Sequence, residues 1–301
     1  MRWVCVAGCL LLFLTGNAAA QDAAPIALKD GDRIVFLGDG FFEREYEHGF
    51  IESAITLRNA RLKLTFRNLG WTGDTVWGDS RAGFEAAKDG FARRAALVKE
   101  LKPDVILVSY GMNESYAGEA GLEAFVVGLK GMLDSLGESG ARVVLVSPTA
   151  HENLGPPLPD GVAHNRQIGQ YVEAMRSVAA ERGLAMVDLF AEHQRDLEAA
   201  GSGRWTTDGV HLSEAGYRRF APVVARALGG TDAVGDSAAL RGAIVEKNAL
   251  LFHRLRPQNE TYLYLFRKHE QGHMAGEVPQ FDPLIADKEA EIDRLKRGVQ
   301  Q

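Results

Sequence analysis

Apolar positions along the chain keep two rhythms. Short β-rich runs, Ile34-Val35-Phe36-Leu37, Leu64-Thr65-Phe66 and residues 105–108, each empty into a turn rich in Gly, Asn or Asp. Between them, apolar residues recur every three or four positions. Leu122, Phe125, Val126, Leu129, Met132, Leu133 and Leu136 trace one face of an amphipathic helix that ends near Gly137 and Gly140. The pattern predicts strands over 33–37, 63–67, 105–109, 143–146 and 185–189. It predicts helices over 46–59, 83–101, 165–181 and 215–228, with a Pro-rich loop over 148–159. Strands alternating with helices describe a parallel sheet covered on both faces, an α/β fold.

The turns carry the chemistry. The first strand ends in Gly38-Asp39-Gly40, the second in Asn68-Leu69-Gly70-Trp71-Thr72-Gly73-Asp74, and the third in Gly111-Met112-Asn113-Glu114. A fourth cluster, Asp208-Gly209-Val210-His211, stands near the end of the regular pattern. In open parallel sheets ligands bind outside the carboxyl ends of the strands, so four such turns can share one pocket.

At these residues the chain resembles the SGNH hydrolases, the GDSL-type esterases and lipases, over roughly residues 30–228. The resemblance implies a flavodoxin-like three-layer sandwich around a five-stranded parallel sheet. It also implies roles: Gly73 as an oxyanion donor through its backbone amide, Asn113 as a donor through its side chain, His211 as general base, Asp208 as the carboxylate that orients it, and Asp39 as a brace for the first turn. The nucleophilic serine of the family falls on Gly40. Gly73 equally suits a tight turn, and Glu114 stands where the family often has aspartate, in a position to order its loop.

Acyl transfer through a covalent intermediate needs a hydroxyl, an imidazole to deprotonate it, a carboxylate to fix the imidazole tautomer, and donors for the oxyanion. Here only the hydroxyl is missing. Three readings follow. Another hydroxyl substitutes: Gly78-Asp79-Ser80 repeats the family tripeptide, although Ser80 follows the second strand and equally suits a helix start; Ser109 and Ser115 flank a structural turn and are weaker candidates. Alternatively, His211 with Asp208 activates water in the space at Gly40. In the third reading the scaffold only binds an acylated glycan or another protein. Glycine at position 40 also permits a left-handed backbone that would reshape the turn.

The ends of the chain add context. Residues 1–20 hold one charge, Arg2, then an apolar run and Ala18-Ala19-Ala20, which reads as a secretory signal cleaved after Ala20 and predicts a secreted or periplasmic protein without a membrane span. A lipid-acceptor reading of Cys9 is weaker, because almost no apolar segment precedes it. Cys5 and Cys9, the two cysteines, both lie in that signal, so disulfides are not expected. A formal net charge of −6 argues against nucleic acid as partner. Substrates are expected to be small acyl esters, with acetyl groups on carbohydrate as one class.

After a Gly/Asp/Ala-rich linker, residues 238–301 read as a helical arm packed on the main domain, with Ile244, Asn248, Leu251 and Leu255 on one face, and Ile285, Ile292 and Leu295 on another. The segment 256–262 between them either closes a helix hairpin or lines the substrate cleft. His269-Glu270-Gln271-Gly272-His273 has a zinc-like spacing, but Gly272, Gly276 and Pro279 oppose the helix that would present both imidazoles, and neither metal nor cofactor is expected.

Overall fold

A computed structural model describes residues 25–199, 204–231, 237–257, 259–270 and 274–299. The signal over residues 1–20 and the second histidine of the zinc-like motif, His273, lie outside the described residues. Five strands, β1 (Arg33–Gly38), β2 (Thr65–Gly70), β3 (Val105–Ser109), β4 (Arg142–Val146) and β5 (Ala185–Val187), form one sheet in the order β2-β1-β3-β4-β5. Every neighbouring pair is parallel. This is the flavodoxin-like order, in which the direction of winding reverses between β1 and β3.

The helices are α1 (Gly40–His48), α2 (Phe50–Arg58), α3 (Ala87–Leu101), α4 (Met112–Ser115), α5 (Gly118–Gly137), α6 (Gly161–Arg182), α7 (Leu189–Glu198), α8 (Glu214–Arg226), α9 (Ala238–Leu255), α10 (Glu260–Leu263) and α11 (Phe281–Gly298). Strand geometry sends alternate side chains to opposite faces, and β1 is apolar on both. Ile34 and Phe36 pack with Ile51 and Ile55 of α2 and Phe220 and Val224 of α8. Val35 and Leu37 pack on the other face with Phe125, Leu129 and Met132 of α5 and Met175 of α6.

Several predicted elements change: the fifth strand stops at Val187, where Asp188 caps α7, the helix expected from 83 begins at Ala87, and two others differ more. The expected helix over 46–59 starts earlier and breaks into α1 and α2 at Gly49, which adopts φ +67°. There the buried Glu45 carboxylate accepts from the amides of Ile51 and Glu52, capping α2. The second strand runs 65–70 rather than 63–67. Being at the sheet edge, it tolerates Arg67 and Asn68, which bond outward to Glu289 at 2.6 Å and to the Phe42 carbonyl at 2.6 Å.

The carboxyl-terminal helices α9 and α11 lie against each other, and α9 reaches α1, α2 and β2. Ile244, Asn248 and Leu251, as well as Ile285 and Ile292, are buried as their spacing predicts. Polar ties accompany the apolar contact. Lys247 donates to Glu52 with both side chains buried, and Lys296 donates to the Leu62 carbonyl at 2.6 Å. No described helix is long and apolar enough to cross a membrane.

Candidate active site

The site lies at the carboxyl ends of β1 and β3, where the winding reverses. A cavity of about 220 Å³ is lined by Asp39, Gly40, Thr72, Gly73, Asn113 and His211, with Ser109, Thr149 and Tyr217 among its other walls. Residues more than 170 positions apart therefore meet because four turns empty over one sheet edge. Backbone bonds join the turns: the Trp71 amide donates to the Gly38 carbonyl at 2.9 Å, and the Asp39 amide to the Ser109 carbonyl at 3.2 Å.

His211 and Asp208 form a pair. The Nδ1 of His211 lies 2.7 Å from Asp208 Oδ2, while Asp208 Oδ1 accepts from the amides of His211 at 2.9 Å and Val210 at 3.1 Å. Partial burial opposes the charge on Asp208, but these donors outweigh it and hold the carboxyl down at about 2. A carboxylate has no proton to give, so Nδ1 carries the hydrogen of this bond, and in the neutral ring Nε2 is the acceptor nitrogen. The Asx-like turn demands Gly209, at φ +98°, because a Cβ there would sit 2.8 Å from the Glu152 carbonyl and from the His151 ring.

Glu152, on the loop after β4, holds this turn in place. Its carboxylate accepts from the Thr206 amide at 2.8 Å and hydroxyl at 2.5 Å, and its own amide donates to the Gly209 carbonyl at 2.8 Å. No local pattern signals this role, since Glu152 is distant from the dyad along the chain and sits in a Pro-rich loop.

On the opposite wall, Gly73 adopts φ +76°, so its turn requires glycine. Asn113 lies in α4, and its Nδ2 donates to the Asp74 carbonyl at 2.7 Å, which fixes the amide and leaves its second hydrogen for a ligand. Glu114 orders the loop, accepting from the amides of Val76 and Gly111, each at 2.8 Å. Burial pushes its carboxyl up to about 7. Asp39 caps α1 by accepting from the Phe41 amide at 3.0 Å. Burial, and then repulsion from Glu114 and Asp74, raises it to about 7 as well.

Gly40 is the first residue of α1 and is not left-handed, so the expected reshaping of the turn does not occur. A Cβ built on it would lie 3.6 Å from His211 Nε2 and 3.5 Å from Thr72 Oγ1, in ordinary van der Waals contact. Thr72 is thus a hydroxyl beside the imidazole that sequence reasoning missed. Ser80 is not among the residues lining this cavity; its Oγ lies 3.1 Å from where a Cβ on Gly73 would be. Ser115 is fully buried and engaged with the Met112 carbonyl and with His164 Nε2 at 2.8 Å, whereas Ser109 lines the cavity wall. Among the described residues no group of histidines and carboxylates is arranged to hold a metal.

Comparison with known proteins agrees with this geometry. The family model of the GDSL-like lipases and acylhydrolases matches residues 36–219. The chain belongs to this family. With it, the protein falls among the hydrolases that act on ester bonds. It is 28% identical to a GDSL esterase/lipase of Arabidopsis thaliana over 65% of this chain and 78% of that one. It is 27% identical to the esterase TesA of Pseudomonas aeruginosa over 73% of this chain and 94% of the relative. A catalytic mutant of an acetylxylan esterase from Geobacillus stearothermophilus shares the fold with a TM-score of 0.55 at 19% identity, covering 70% of this chain and all of the other.

Proposed function

We propose that this protein is an exported hydrolase of small acyl esters, acetyl groups on carbohydrate among them, that turns over slowly because water replaces the serine nucleophile at Gly40. One observation carries the reading. His211 and Gly40 line one cavity of about 220 Å³, and Nε2 stands 3.6 Å from where a Cβ on Gly40 would be, so the seat of the absent side chain lies in front of the imidazole and opens onto space that holds a water. A water held there by Nε2 gives its proton to the imidazole while its oxygen attacks the acyl carbon. The carbonyl electrons move onto oxygen, where the Gly73 amide and the second Asn113 hydrogen receive the charge. Collapse expels the alcohol, which takes back the proton from Nε2, and the acid is released.

Asp208 keeps Nδ1–H pointed away from the seat and stabilises the transient imidazolium. Export rests on the amino-terminal signal pattern, and acetylated carbohydrate on the company of an acetylxylan esterase among similar folds. Hydrolysis of p-nitrophenyl acetate tests the scheme. Turnover that disappears in His211→Ala and persists in Ser80→Ala supports the water route. Equal loss in both variants returns Ser80 as nucleophile, and no turnover in the wild type makes the cavity a binding site only.

A further inference from the structure

A second cavity, of about 470 Å³, opens between the end of α9 and the connection from β2 to α3. It shares a loop with the His211 cavity: Trp71 is on its wall, while the next two residues, Thr72 and Gly73, are on the wall of the first. Four arginines, Arg81, Arg93, Arg94 and Arg256, line it; Arg81 is paired with Asp74, Arg93 with Glu85 and Arg256 with Glu43, whereas Arg94 has no carboxylate partner among the described residues.

The donors of these arginines are incompletely used. Arg94 is 1% exposed and donates only to backbone carbonyls, from Nη1 to Thr75 at 3.0 Å and from Nη2 to Val76 at 2.7 Å, and its buried Nε has no acceptor. Arg256 lies over the Trp71 ring at 3.6 Å and spends Nη1 on Glu43 at 2.8 Å; among the described residues its Nε and Nη2 meet no acceptor. Arg81 is committed to the protein, with Nε on Asp74 and Nη2 on the Leu69 carbonyl, each at 2.6 Å, and the Tyr110 hydroxyl beside it. A buried cation served by neutral acceptors and several unspent planar donors favour an oxyanion ligand. Trp71 and Phe252 add apolar walls and Asn259 an amide, the mixture that suits a sugar ring, and the volume is that of a small-ligand pocket.

We infer that this cavity is a subsite for a carboxylate-bearing sugar, the anionic part of the alcohol whose ester is presented to His211. The placement of the ester rests on the hydrolase reading above; the binding site does not require turnover. Titration calorimetry with trigalacturonate, xylotriose and sodium sulfate is the test, run on the full chain and on His211→Ala so that loss of turnover and loss of binding are read separately. Trigalacturonate is expected to bind both proteins, at least tenfold more tightly than xylotriose, and more weakly as salt rises. Arg256→Gln should weaken it at least tenfold, and Asn259→Asp, which adds a negative charge to the wall without removing a tie to the main domain, should do so at an unchanged melting temperature. Equal affinity for xylotriose, no binding of trigalacturonate, or indifference to Asn259→Asp would overturn the assignment. Sulfate binding as tightly as trigalacturonate would overturn the sugar and leave only a free-anion site.

Discussion

Replacing Gly40 by serine asks whether the rest of the machinery is assembled. The new Cβ would stand 3.5 Å from Thr72 Oγ1 and 3.6 Å from His211 Nε2, so no neighbour has to move. Position 40 has no left-handed backbone to penalise a side chain, and the helix start is held by Asp39, so stability should change by no more than about 1 kcal/mol. An oxygen one bond beyond that Cβ can reach Nε2 within the roughly 2.6–3.2 Å that nucleophile and base require. In triad enzymes loss of the nucleophile costs on the order of 10⁶ in kcat, and the oxyanion hole and binding retain about 10³–10⁴ over water. Allowing for imperfect alignment, Gly40→Ser should raise kcat on p-nitrophenyl acetate by at least about 10², with a pre-steady-state burst and labelling by a fluorophosphonate that the wild type resists. A variant that melts like the wild type yet gains neither rate nor label would refute the assembled-site argument.

Other outcomes follow from the same geometry. His211→Ala should lower the wild-type rate by at least about 10², the usual share of a general base, whereas Ser80→Ala, outside the cavity, should stay within a few-fold in the same assay. Asp39 is raised from 3.8 to about 7 by burial, so its contribution to stability is full below pH 4 and is lost as pH rises through 7. Asparagine caps a helix equally well, so melting curves of Asp39→Asn should gain on the wild type between about pH 4 and 7 and run parallel above it; a pH-independent gap would exclude the buried charge as the cause. Lys247→Met leaves Glu52 buried without its partner and should cost about 3–5 kcal/mol in urea unfolding, much of it recovered in the double variant with Glu52→Gln. Independent additive losses in that cycle would show that the pair does not couple the carboxyl-terminal helices to α2.

The sheet and its turns were legible because glycine, asparagine and aspartate mark where buried strands stop, and because β1, β3 and β4 are apolar apart from one end residue each, Arg33, Ser109 and Arg142. The edge strand β2 was misplaced by two or three residues, since half its residues are polar and their partners, Glu289 among them, come from helices far along the chain. Gly49 looked like one weak position in a single helix; only the buried Glu45 carboxylate, which caps the next helix, makes it a break. At the site, short-range chemistry was readable in Asp208-Gly209-Val210-His211 and in Asn113. Long-range supports were not. Glu152 pins the dyad turn from a Pro-rich loop, Thr72 borders the seat at Gly40, and Lys247 and Lys296 are buried by the packing of α9 and α11 against Glu52 and the Leu62 carbonyl, partners that no local pattern names. Ser80 shows the same limit in reverse: its tripeptide fits a motif, while in the fold it stands next to Gly73 and is not among the residues lining the His211 cavity.

The proposed water route is tested most directly by rapid-quench kinetics of the wild type with p-nitrophenyl acetate, followed by mass spectrometry of the protein. Linear product release from the first turnover, abolished by His211→Ala, with no acetylated peptide at any hydroxyl, is the predicted result. A burst with acetyl trapped on Thr72, Ser80 or Ser109, or an undiminished rate in His211→Ala, would contradict it.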